Sequence, residues 1–123
     1  MTNKIYYERI EDAIERNRPG ISITKKKLEE AGVKYVLSSW IDLHGIPKTK
    51  PVPMSNFENL CLGKGPQFAV HSISFVPELS PADADQVMLP DLNAVYICPW
   101  DKTTAIIFAD LFWEGAPYNV CPR

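Results

Sequence analysis

The sequence predicts an α+β domain of about five strands and a few short helices, preceded by an N-terminal helical segment. Three observations predict it. Apolar residues recur at helical spacing through charged stretches before residue 33, a run rich in β-branched and aromatic residues opens at Val33, and further strand candidates follow, separated by proline and glycine. The 123 residues are 46% hydrophobic and 23% charged, as expected of one ordinary globular domain. A chain of this size buries roughly two-thirds of its unfolded surface and needs no metal or disulfide to fold.

Tyr6, Ile10, Ala13 and Ile14 define a first amphipathic helix, which Pro19-Gly20 is expected to break. Ser22 or Thr24 can cap a second helix that continues through Leu28 and Ala31, with Gly32 as the left-handed residue that ends it. Residues 1–32 are therefore read as a helical extension. The run from Val33 to Asp42 and the stretch from Ile46 to Val52 flank Leu43-His44-Gly45 and predict a hairpin. Pro47, Pro51 and Pro53 cannot donate to a ladder and confine the second strand to a sheet edge. Met54 to Leu62 predicts a short helix capped by Ser55, ended near Gly63, with Phe57, Leu60 and Cys61 turned inward.

From Gly65 to Ala84 the chain carries Pro66, Pro77 and Pro81 with little periodicity, and irregular stretches of this length are kept for function more often than for packing. Val87 to Leu89, Ala94 to Cys98 and Thr104 to Phe112 are three further strand candidates, with Pro90 and Pro99 at strand boundaries and Trp100 expected to pack. There is no internal repeat.

Composition removes several classes of function. A net charge of −2 lacks the basic field that phosphate backbones require, so nucleic acid is not an expected partner. Apolar runs such as Ala105 to Trp113 fall far short of the roughly 20 residues that span a bilayer, and the N-terminus has no signal-like stretch, so a cytoplasmic location is expected. Cys61, Cys98 and Cys121 are an odd number with wide spacing and form no secretory disulfide framework, so reduced thiols are expected. No pair among these cysteines, His44 and His71 has metal-ligand spacing. Lys25, Lys26 and Lys27, with Lys48, Lys50 and Lys64, read as solvated cations rather than an anion site. Gly63-Lys64-Gly65 runs into Pro66 instead of a helix and cannot cradle phosphate. His71, Ser72 and Asp83 lack the elbow that would make a serine nucleophile.

Four stretches in order, Tyr35 to Val52, Gly65 to Ser74, Asp85 to Trp100 and Ala109 to Arg123, resemble the N-terminal β-grasp domain of the glutamine synthetase family. The most specific pieces are Asp42 to Gly45, Pro90-Asp91 followed by Pro99-Trp100, and the closing Cys121-Pro122-Arg123, similar to the family's aspartate-proline-arginine. The suspected branch is that of the γ-glutamylmethylamide synthetases, or glutamate–methylamine ligases. The resemblance implies a β-grasp domain over residues 33–123 and a catalytic C-terminal domain absent from this chain. It also implies a full-length enzyme that uses ATP and Mg2+ or Mn2+ to join glutamate to an amine, in a ring of identical subunits that share active sites. This segment alone is expected to be inactive and to bind no cofactor.

In the family, a phenylalanine-aspartate-glycine-serine-serine loop of this domain reaches the neighbouring subunit's active site, where its aspartate binds ammonium and helps remove its proton. Phe68-Ala69-Val70-His71-Ser72 stands in that place. Phe68 and Ser72 match, but Ala69 replaces the aspartate and cannot inherit its role. A roomier, less anionic pocket for an alkylamine is the implied consequence, with His71 either a substitute base or simply a loop residue. Two other readings stay open: a stand-alone β-grasp protein-binding module and a noncatalytic ligase paralogue. A free module has little use for so long a loop. The exposed aromatic candidates for a subunit contact are Phe68, Phe75 and Trp113.

Overall fold

A computed structural model describes residues 8–69, 80, 82–118 and 121. Helix α1 (Ile10–Glu30) is followed by strand β1 (Tyr35–Ile41), strand β2 (Pro47–Pro53), a single 3-10 turn (Met54–Asn56) and helix α2 (Phe57–Cys61). Strands β3 (Gln67–Phe68), β4 (Gln86–Cys98), β5 (Asp101–Trp113) and β6 (Ala116–Pro117) complete one mixed sheet in the order β2-β1-β5-β4-β3, with β6 added to the end of β5. A parallel pair, β1 and β5, lies between two antiparallel hairpins, β1–β2 and β4–β5. This α+β arrangement is β-grasp-like.

The hairpin forms as its residues dictate. The Asp42 carboxylate is 3% exposed, and its Oδ1 accepts the backbone N–H groups of Ile46 and His44, each at 2.9 Å. Gly45 takes φ +77°, which lets the chain reverse. Lys48 places its ammonium 3.4 Å from Asp42 Oδ2. The Ile46 amide first, then the His44 amide and Lys48, hold the Asp42 carboxyl below the ordinary value of 3.8 against the opposing pull of burial. A depressed folded pKa means that the charged form stabilises the fold above pH 3.8, and that this contribution is lost as pH falls through the lower folded value. Asp42→Asn keeps an acceptor oxygen but no charge. Urea unfolding is therefore expected to separate the two proteins at pH 7 and to show the gap closing below pH 4.

Where the sequence predicts two helices, α1 runs unbroken through Pro19. Proline costs a helix interior about 3 kcal/mol, and packing along the whole length offsets it. Ala13 packs with Leu89 and Phe112, while Ile21 and Leu28 pack with Val36, Ala105 and Ile107. Gly20 is the point of close approach, since a Cβ there would lie 3.2 Å from Leu92 Cδ1. Ser22 and Thr24 consequently sit inside the helix rather than capping one. Gly32 ends it as expected: at φ +89° it donates to Glu29 O while Val33 N donates to Leu28 O, and the Val33 and Leu28 side chains join the same core.

β2 is an edge strand, as its prolines require, and α2 buries Phe57, Leu60 and Cys61 completely. Two of the predicted strands prove to be one. β4 continues through Pro90, which pairs with Ala109, and the register slips between Pro90 and Val95 and again between Ile97 and Cys98. Asn17 Nδ2 on α1 donates to the Pro90 carbonyl at 3.0 Å, satisfying an acceptor at the first irregularity. Trp100, expected to pack, is 77% exposed, because it occupies the tip of the β4–β5 hairpin beyond the reach of α1.

Candidate functional site

The stem of the proline-bounded loop, β3, is held by three other strands. Gln67 and Phe68 form β3 and pair with Val87 and Gln86 of β4. The Phe68 ring is buried and stacked on Trp40 of β1, with centroids 4.2 Å apart and planes 16° from parallel. From the edge strand, Lys50 donates its Nζ to the Gln67 carbonyl. The β1–β2 register explains why these groups meet: Trp40 lies opposite Lys48 and Ser38 opposite Lys50, so Trp40, Ser38, Lys48 and Lys50 alternate onto one face. Met88 completes the floor and accepts a hydrogen bond from Ser38 Oγ at 3.5 Å.

Ala69 follows directly and is exposed. Of the sequence-predicted site residues, Phe68 and Ala69 are thus described, whereas Val70, His71 and Ser72 lie outside the described residues, as does Phe75. Phe68 is not an exposed contact aromatic but part of the core, and Trp113 is half-buried with its Nε1 donating to Ala84 O at 2.8 Å. The far end of the loop is therefore also tied to the sheet. Sequence reasoning missed Trp40 and Lys50. Lys48 and Lys50, read as solvated cations, each have a specific partner: Asp42 for one and the loop stem for the other. Lys25 and Lys26 do face solvent, paired at i,i+4 with Glu29 and Glu30.

Other features offer less chemistry. A groove of about 620 Å3 runs between α1 and α2, lined by Arg18, Lys25, Glu29 and Glu58 among others, and it shares no residue with the loop stem. Burial pushes the Cys61 thiol up to about 12, which leaves it protonated and unreactive at neutral pH. Among the described residues no group of three or more His, Cys, Asp or Glu is placed to hold a metal ion. No helix among them is long and apolar enough to cross a membrane.

No family model matches the chain. Over 94 residues it is 38% identical to a glutamine synthetase of Rhizobium meliloti (strain 1021), covering 76% of this chain and 21% of that protein. Over 98 residues it is 32% identical to a glutamate–methylamine ligase of Methyloversatilis universalis, covering 78% and 22% respectively. Solved structures of GmaS, one an ADP complex and one without ligand, superpose with a TM-score of 0.72 at 30% identity. They cover 80% of this chain and 22% or 23% of those chains. These relatives are ligases, and the fold is shared with them. The chain belongs to the glutamine synthetase family. It spans about a fifth of the length of the curated relatives it matches.

Proposed function

We propose that this domain works in an ATP-dependent ligase that joins the γ-carboxylate of glutamate to ammonia or a small alkylamine such as methylamine. The observation that carries the reading is Ala69, an exposed, uncharged residue next to a firmly held Phe68, at the position where the family resemblance puts an aspartate. An ammonium ion must lose a proton before its lone pair can attack a carbonyl, and a carboxylate both attracts the cation and accepts the proton. Without that carboxylate the loop gives ammonium no special advantage over a methylammonium, whose methyl group needs room. His71, with an unperturbed pKa near neutrality, is the nearest base in the sequence for the proton. The similarity to a glutamate–methylamine ligase supports the same amine class.

ATP with Mg2+ or Mn2+ would supply the phosphoryl activation of glutamate. The ligands for that metal are proposed to lie in another domain of the full-length enzyme. Neighbouring identical subunits are the proposed partners. Exposed aromatic side chains support this, since Tyr35 and Tyr96 are 51% and 58% exposed, with Tyr96 edge-on to Phe108. Those exposed aromatic side chains would equally serve a stand-alone binding module, and size separates the two readings. The native protein is expected to have an intact mass several times the 13.9 kDa of this chain and to release phosphate in proportion to added amine. A native mass near 13.9 kDa with no such activity would favour the binding module.

A further inference from the structure

The geometry points to Trp40 and Lys50 as positioning residues for the loop stem at Gln67 to Ala69. This rests on the ligase reading and deepens it: the two side chains set the direction in which the chain leaves Phe68, and so where Ala69 stands when an amine is bound. Two contacts carry the inference. Phe68 is fixed by the face of Trp40 rather than by neighbours in its own two-residue strand, which has only two cross-strand pairs. The Lys50 ammonium is spent on a neutral backbone carbonyl, that of Gln67, while Lys48 two residues away takes the carboxylate of Asp42. A charged donor on a carbonyl one residue before the stacked phenylalanine leaves Gln67 and Phe68 little rotational freedom.

Trp40 itself separates stacking from hydrogen bonding. It is 4% exposed, and its Nε1–H meets no acceptor among the described residues. A buried donor without a partner is a cost to the fold, so the tryptophan serves through its ring face. Trp40→Phe keeps a face for Phe68 and discards the idle donor, whereas Trp40→Ala removes the platform. Lys50→Met keeps the aliphatic stem and loses the donor, and Lys50→Arg restores one.

The test uses the full-length enzyme and two readouts. Backbone hydrogen exchange in the peptide holding Gln67 to Ala69 is expected to speed up in Trp40→Ala and Lys50→Met, and to stay near the unsubstituted rate in Trp40→Phe and Lys50→Arg. In the same pair of disruptive variants the KM for methylamine is expected to rise about tenfold, with the KM for glutamate unchanged. Unchanged exchange overturns the inference, as does an equal rise in both KM values, which would report general loosening. An unsubstituted enzyme that turns over no amine at all would instead sink the ligase reading, and the exchange rates would still decide whether these residues hold the stem.

Discussion

Phe57→Ala is expected to lower the unfolding free energy of this domain by about 3–5 kcal/mol, a large part of the roughly 5–15 kcal/mol that holds a domain of ordinary stability together. Phe57 is fully buried and is the first residue of α2, a helix of only five residues that has little stability of its own. It packs in the cluster that also holds Ile21 and Leu28 of α1 and Val36, Ala105 and Ile107 of the sheet. Removing the ring therefore empties space where three elements meet, and the backbone around it is too constrained by the β1–β2 hairpin to collapse into the void. Urea denaturation followed by circular dichroism reads the loss as a lower midpoint at an unchanged slope. Phe57→Leu should recover most of it. A loss below about 1 kcal/mol for the alanine variant would show that α2 is not part of the cooperative core.

Ala69→Asp is expected to shift amine preference in the full-length enzyme towards ammonia. A new carboxylate beside the bound amine adds a charge-assisted hydrogen bond of about 1.5–3 kcal/mol, or roughly 10- to 100-fold in the ratio of kcat/KM for ammonia over methylamine. The larger cost typical of a buried ion pair does not apply, because Ala69 is exposed within this domain. For the same reason the substitution leaves stability nearly untouched, and its thermal midpoint should match that of the unsubstituted protein. The preceding Phe68 stays stacked on Trp40, so the carboxylate enters from the existing stem. A parallel loss of both activities, or a ratio that does not move, would remove Ala69 from the account of specificity.

Much of the architecture could be read from local sequence, and the parts that could were those whose physics is local. The hairpin turn follows from Asp42 and Gly45 within a few residues of each other. The edge position of β2 follows from its own prolines, and the core face of α2 from the spacing of Phe57, Leu60 and Cys61. What could not be read depends on partners far away in the chain. Pro19-Gly20 looks like a helix break until Leu92 of β4 is seen beside Gly20, and Pro90 looks like a strand boundary until Asn17 is seen bonded to its carbonyl. Trp100 shows the opposite error, since an apolar residue is buried only if some element lies over it, and none covers that hairpin tip among the described residues. The site divides in the same way. The missing carboxylate at Ala69 is visible by position alone, whereas the roles of Trp40 and Lys50 emerge only from the β1–β2 register that turns both towards β3.

The proposed function is a place in a ligase that makes γ-glutamyl amides and prefers a small alkylamine to ammonia. Its most direct test gives the full-length enzyme glutamate, ATP and a divalent cation with equal concentrations of ammonium and methylammonium, and weighs the products by mass spectrometry. The account predicts γ-glutamylmethylamide as the main product. Glutamine alone would contradict the alkylamine assignment, and the absence of both amides would contradict the ligase itself.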